Sequence, residues 1–290
     1  MVNGSQMTIN AKTHLYGILG NPVEHSLSPL LHNTLFQKYK LNAVYMAFPV
    51  DKNSLGLAFE ALRALGMRGA NITIPFKEEA TQYIDEIPDD VDRCVGAINT
   101  VVNREGKLYG YNTDGTGFLM ALKEELNFNP EGKKIVVFGA GGAARGVVYA
   151  LARARAESIR VHNRSRERAE GLCEYVSTHF PNLDIKVIEN QEAVASEKPN
   201  LVVNATSLGM ASSELPFDLR FLKQSASVYD LVYTPAETPF LKQARSLKLP
   251  CANGLGMLAA QAALSFELWT GKKEGVREAM VLALKKCITA

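Results

Sequence analysis

Features that would commit this chain to a membrane, a metal or an oxidising compartment are missing. Its four cysteines, Cys94, Cys173, Cys251 and Cys287, are widely spaced with no CxxC pair, which points to free, mostly buried thiols in a reducing compartment. The five histidines form no HExxH or comparable cluster, so no metal is expected. No apolar run approaches the ~20 residues needed to span a bilayer. The polar start, Met1 to His14, has no apolar core and reads as neither signal peptide nor anchor. A net charge of +2, evenly spread, excludes a nucleic-acid surface. The expected setting is cytoplasmic, with no nucleic-acid or membrane partner; a homodimer is compatible with these absences.

What remains is a sequence of enzyme size and composition, with 290 residues, 47% hydrophobic and 21% charged, long enough for two cores. Strand-like and helix-like stretches alternate from end to end, which predicts an α/β protein of two doubly wound domains. Strands are expected at 15–19, 44–50 and 70–74, with a hairpin of 97–102 and 108–112 around Glu105-Gly106. Ser28-Pro29 reads as an N-cap with proline at the first helical position, opening a helix through Tyr39, and 54–65 and 116–126 read as further helices. Pro130-Glu131-Gly132 marks a seam. Two helices, 255–269 and 276–286, close the chain. The expected organisation is one domain over 1–115, a second over 116–253 and C-terminal helices over 254–290.

Residues 133–168 carry the strongest signal. The apolar strand Ile135-Val136-Val137-Phe138 runs into Gly139-Ala140-Gly141-Gly142-Ala143-Ala144, a helix follows, and a second strand ends at His162. Gly139, Gly141 and Ala144 have GxGxxA spacing, which gives a tight turn, close approach of backbone to pyrophosphate, and close helix–strand packing. The first helical N–H groups then face the phosphates. NAD-binding folds place an acid at the end of the second strand to hold the ribose 2′-OH, and here Asn163 stands there, followed by Arg164, Arg166 and Arg168. Arginines at a helix start oppose the helix dipole, so they ask for another reason. A 2′-phosphate supplies one: the expected cofactor is NADP(H), with two charge-assisted bonds of roughly 1.5–3 kcal/mol each favouring it over NAD. The turn from Asn204 to Met210 follows a buried strand and is expected to line the nicotinamide half.

Candidate chemistry lies outside that unit. Gly20 to Pro29 is rich in hydroxyls ahead of a helix, a site for a carboxylate that needs no cation; Ser28 has a capping duty and Ser26 has none. Asn71 and Thr73 share one face of a strand, and Lys77 beyond its end could exchange a proton with an alcohol or ketone oxygen. Asn99 and Asp114 close two other strand-end turns. Met257, Gln261, Leu264 and Leu268 form one helical stripe, and a Gln on an apolar stripe costs about 1–3 kcal/mol unless paired, so Gln261 is expected to face a polar ligand or partner.

His25-Ser26-Leu27-Ser28-Pro29, Asn71 to Lys77, Gly96 to Thr100, Asn112-Thr113-Asp114, Gly139 to Ala143, Asn163-Arg164-Ser165, Asn204 to Ser207, Asp230 to Pro235 and Gly254 to Leu258, in this order, make the chain resemble the shikimate dehydrogenase family from about 15 to 285. The resemblance implies NADPH-dependent reduction of 3-dehydroshikimate to shikimate, on a substrate domain and a Rossmann domain, with C-terminal helices returning to the substrate domain. It implies Lys77 as acid–base residue with Asp114 its partner. Ser26, Ser28 and Tyr233 would hold the substrate carboxylate, and Thr73, Lys77, Asn99, Asp114 and Gln261 the ring hydroxyls. Gly139, Ala140, Gly141, Gly142 and Ala143 would take the pyrophosphate, and Asn163, Arg164, Ser165 and Arg168 the 2′-phosphate. Met210, Leu231 and Gly254 would border the nicotinamide. Ala144 and Ser165 depart from the commoner Ser and Thr without touching the chemistry. A quinate/shikimate dehydrogenase of the same fold using NAD or NADP is the alternative, and the basic cluster at 164–168 argues against NAD.

Overall fold

The computed structural model describes residues 9–222 and 226–288, and the chain falls into two compact units. One runs to Thr113 and resumes at Gln261; the other spans Asp114–Ala260. Most of residues 1–12, to which the sequence assigns nothing, and the side chain of Cys287 lie outside the described residues.

The first unit contains β1 (His14–Gly20), α1 (Ser28–Lys38), β2 (Ala43–Pro49), α2 (Leu55–Ala64), β3 (Gly69–Ile72), α3 (Asp90–Arg93), β4 (Thr100–Arg104) and β5 (Lys107–Tyr111). Its sheet has the order β2-β1-β3-β4-β5. The helical crossovers α1 and α2 make β1, β2 and β3 parallel, and the tight turn at Glu105-Gly106 makes β4 and β5 antiparallel. Phe59 and Leu62 of α2 pack with Ile72, Phe76, Ile98 and Val101 on one side of this sheet. Opposite, Phe36 meets Tyr16 and Phe266, and the Trp269 indole N–H donates to Val101 O at 2.9 Å, so closely against Gly69 that no Cβ fits there.

The second unit contains α4 (Asp114–Leu126), β6 (Lys134–Phe138), α5 (Gly142–Arg153), β7 (Ser158–His162), α6 (Arg166–His179), β8 (Asp184–Val187), α7 (Gln191–Glu197), β9 (Leu201–Asn204), β10 (Ser227–Asp230), α8 (Pro239–Ser246) and β11 (Cys251–Asn253). All six strands are parallel, in the order β11-β10-β9-β6-β7-β8. Both faces are covered, one by α4, α5 and α6, the other by α7 and α8, which is why the central strands β6 and β9 are apolar runs without alternation, whereas β7 alternates Ile159 and Val161 with Ser158, Arg160 and His162. Strand order reverses between β6 and β9, the place where such sheets open a ligand crevice. The division between units falls inside α9 (Leu255–Thr270), and α10 (Val276–Ile288) lies in the first unit, packed on α1. Among the described residues no helix is long and apolar enough to cross a membrane.

Two local expectations are corrected. The strand expected at 70–74 stops at Ile72: Thr73 N–H still makes the ladder bond to Leu19 O, but the Asn21 N–H then skips to Ile74 O, and Pro75 has no N–H to continue the pairing. Ser28 is not an N-cap: it is the first residue of α1, and Leu27 holds the cap position with no side-chain cap. The capping-type bond belongs instead to Ser26, whose Oγ accepts the Ser28 N–H at 3.2 Å.

Candidate active site

Within the first unit, a buried polar network gathers several of the expected residues beside the end of β3. Asn99 is 2% exposed, and its Nδ2 donates to Thr113 Oγ1 at 2.8 Å and reaches Gln261 Oε1 at 3.3 Å. Its Oδ1 accepts the Thr113 N–H at 2.8 Å, and the Thr113 hydroxyl donates to Gln261 O at 3.1 Å. Gln261 therefore does have a polar partner, as its place on an apolar stripe demands. Ile98 N–H donates to Lys77 O at 2.8 Å, which sets the Lys77 main chain beside Asn99. Thr73, half-buried, packs its methyl against Gly20, where a Cβ could not fit. Asp114, the residue after Thr113, opens α4 and is 3% exposed.

The network continues through residues not assigned a site role. Asn71 Nδ2 donates to Asn99 O at 3.0 Å and lies within bonding distance of Thr100 Oγ1 and Ser265 Oγ. Thr100 and Ser265 hydroxyls meet at 2.7 Å, and Asn71 Oδ1 accepts the Tyr45 hydroxyl at 2.8 Å. Tyr45 in turn interacts with the Ser28 hydroxyl, and its burial raises the phenol's pKa well above its ordinary value. Ser28 is thus tied into the interior. Ser26, accepting one bond at Oγ, retains an O–H for a ligand. Ser265 stands one helical turn from Gln261, on the same side of α9, but a serine there carries no signal of its own in the sequence.

In the second unit the glycine turn has the geometry that a dinucleotide needs. Gly139 has φ +118°, and a Cβ there would sit 2.8 Å from Ala205 O, so the β6 turn closes directly against the β9 turn. Gly141 is different. A Cβ there would meet nothing within 4 Å, so protein packing does not demand glycine and the open space suits an approaching phosphate. Gly141 is the N-cap of α5, and the first intrahelical bond is donated by Arg145. The N–H groups of Gly142 and Ala143 precede that bond, so no intrahelical acceptor takes them. Ala140 and Ala144 are buried, as the packing role of the third small residue requires.

At the end of β7, Asn163 Nδ2 donates to Ser165 O at 2.9 Å, and Ser165 caps α6 by accepting the Arg168 N–H. The three arginines are not equivalent. Arg166 is held by Glu170 at 2.7 Å and by Glu189. Arg164 is exposed and makes no ion pair with any described residue, and Arg168 is exposed on the first turn of α6. Beyond β9 and β10, Met210 is 53% exposed, Leu231 N–H bonds Asn204 O at 2.8 Å, and Gly254 lies so tightly on the Leu231 carbonyl that only glycine fits. Tyr233 is half-buried, and desolvation raises the pKa of its phenol.

These features have close counterparts elsewhere. Family models match the chain in three successive pieces: the shikimate dehydrogenase substrate binding domain over residues 18–101, shikimate / quinate 5-dehydrogenase over 121–214, and the shikimate 5'-dehydrogenase C-terminal domain over 254–280. The chain is similar to the shikimate dehydrogenase (NADP(+)) of Geobacter sp. strain M21, 44% identical over 271 residues that cover 91% of this chain and 92% of that one. Its fold is similar to a crystal structure of shikimate dehydrogenase in complex with NADP+, at 39% identity and TM-score 0.88 over 98% of each chain. It is also similar to the Thermus thermophilus enzyme in complex with NADP(H) and shikimate, at 36% identity and TM-score 0.80 over 93% of this chain and 100% of that one. With likeness of that degree along nearly its whole length, the chain belongs to the shikimate dehydrogenase family.

Proposed function

We infer that this protein reduces 3-dehydroshikimate to shikimate reversibly with NADPH. The observation that carries the reading is the buried array in which Asn99, Thr113 and Gln261 hold one another beside the Lys77 main chain. A rigid set of amide groups suits a ring bearing several hydroxyls, because preorganised donors need no reorganisation when the substrate arrives. When bound, NADPH supplies the hydride. Lys77 gives the proton to the developing alkoxide, and Asp114, the partner carboxylate, orients the reacting hydroxyl. Thr73, Asn99 and Gln261 bind ring hydroxyls; Ser26, Ser28 and Tyr233 bind the carboxylate. In Ser28 this role competes with its bond to Tyr45, so Ser26 carries more of it.

The nucleotide residues fit NADP. The phosphate-facing turn is open at Gly141, and Arg164 and Arg168 are exposed beside Asn163, where an NAD-binding fold would place an acid. Met210, Leu231 and Gly254 border the nicotinamide. Free thiols at Cys94, Cys173 and Cys251, the Cys173 thiol pushed up to about 11 by burial, support a cytoplasmic setting. Steady-state oxidation of shikimate with NADP+, beside quinate and NAD, tests the assignment. Turnover of shikimate with NADP+ supports it; turnover of quinate alone, or no turnover of either, removes it.

A further inference from the structure

One carboxylate in the second unit is buried with no cation beside it among the described residues. Asp230, the last residue of β10, is 0% exposed. Its Oδ1 accepts Asn204 Nδ2 at 2.8 Å and the Val232 N–H at 3.0 Å, and its Oδ2 accepts the Thr238 hydroxyl at 2.6 Å. Each donor belongs to a different segment: the end of β9, the loop after β10 and the start of α8. Thr238 also caps α8 by accepting the Leu241 N–H at 3.2 Å. Asn204 passes the constraint on, since its Oδ1 accepts the Thr206 hydroxyl at 2.6 Å and its Nδ2 donates to Leu208 O at 3.1 Å. Gly209 completes the arrangement: its φ is +89°, and a Cβ there would crowd Thr238 at 3.2 Å.

Among the described residues no charged side chain balances this carboxylate. Of the elements packed on β10, β9 has no titratable residue and β11 has only Cys251. On α8, Lys242 and Arg245 are exposed, and Arg245 pairs with Glu237 at 3.1 Å. Tyr229, on the same strand, turns its hydroxyl to Glu125. Burial therefore pushes the Asp230 carboxyl up to about 6, against the pull of its three neutral donors. A buried charge held this way is costly, and an apolar side chain would stabilise a sheet end more simply. What the ionised group supplies is acceptors for three donors at once. Protonated, it presents an O–H toward groups that also donate.

We propose that Asp230 is a positioning residue, whose ionised carboxylate holds the 204–210 and 231–235 loops in the shape that receives the nicotinamide end of the cofactor. The proposal rests on the reading above, in which Met210, Leu231 and Gly254 border that ring. Steady-state kinetics from pH 5 to 9 on wild type, Asp230→Asn, Thr238→Val and Thr238→Ser test it, with circular dichroism confirming the fold of each. KM for NADPH should rise about tenfold in Asp230→Asn and Thr238→Val, the scale of one or two lost hydrogen bonds, while KM for dehydroshikimate changes less than twofold. Thr238→Ser should restore the wild-type value.

In wild type, kcat/KM for NADPH should fall below about pH 6, as Asp230 protonates. Part of that limb belongs to the cofactor's own 2′-phosphate, which titrates in the same range and is common to every variant. The readout is the part that vanishes in Asp230→Asn. Should Asp230→Asn fail to fold, the Thr238 pair carries the same comparison. Unchanged KM for NADPH in folded Thr238→Val, or equal rises in both KM values, overturns the role of Asp230 while wild-type turnover still upholds the function. Absence of wild-type turnover overturns both.

Discussion

Acid should weaken the first unit through a single side chain, His32. The ring is 0% exposed on α1, stacked on Tyr45 at 4.5 Å between centroids and flanked by Trp269 at 5.1 Å. Neither ring nitrogen has a hydrogen-bond partner among the described residues. Burial in this aromatic surround lowers its pKa from 6.5 to about 3, with the Asn71 side chain pulling weakly the other way. The neutral ring is thus favoured on folding, and below pH 6.5 the unfolded chain binds the extra proton. The stabilisation is full above pH 6.5 and is lost as pH falls toward 3. Between pH 7 and pH 5 the loss comes to about 2 kcal/mol, a large share of a domain's typical stability. That figure barely depends on where below pH ~4 the folded ring titrates, because at pH 5 the unfolded state sets it.

Trp269, the sole tryptophan, lies in the same unit and touches His32, so its fluorescence reports the right transition. Urea melts at pH 7 and pH 5 should be run on wild type and His32→Phe, which keeps a ring against Tyr45 and removes both nitrogens. Groups with the opposite trend, such as Glu267, whose carboxyl burial raises, act equally on both proteins. The stability difference between wild type and variant should move by about 2 kcal/mol against wild type on acidification. A difference that stays constant to within about 0.5 kcal/mol would show that the ring is hydrated or partnered, and the reasoning fails.

Four further outcomes follow from the site. Lys77→Ala should lower kcat about a hundredfold or more with little change in KM for dehydroshikimate, since a proton donor acts in the transition state; near-normal turnover removes it from the chemistry. Arg164→Ala should raise KM for NADPH at least about tenfold and leave NADH unaffected, whereas Arg166→Ala should do little because Glu170 and Glu189 already hold that side chain. Ser265→Ala should destabilise by about 1–3 kcal/mol in urea melts and raise KM for dehydroshikimate, by leaving Asn71 and Thr100 short of a partner. Gly139→Ala should destabilise the fold in thermal melts, while Gly141→Ala should melt like wild type yet bind NADPH weakly in fluorescence titrations.

Those two glycines also mark how far the sequence can be read. Strand Ile135–Phe138, the turn and the helix after it announce themselves through composition and spacing, and the structure forms them within a residue or two of expectation. The spacing cannot say why each glycine is there. Gly139 meets a carbonyl from β9, a segment distant in sequence, and Gly141 meets nothing; only the folded chain separates a packing need from a ligand's need. The elements β8, α7, α8 and β11 are silent in the sequence for a related reason: they are short, or mix charge into their faces, and draw their stability from the sheet they pack on. At the site, Gln261 stands out as a polar residue on an apolar stripe, while Lys77 and Asn99 are marked by their places at strand ends. Ser265, Asp230 and Thr238 do not stand out, because a buried hydroxyl or carboxylate looks like a capping or surface residue until its partners are known. Asn71, Thr100 and Ser265 approach the interior from three different elements, and Asn204, Asp230 and Thr238 do the same at the other sheet. Each group alone costs free energy on burial, and only the full set of bonds offsets that cost. The residues that would touch ligand are therefore legible one at a time, whereas those that hold them in place become legible only together.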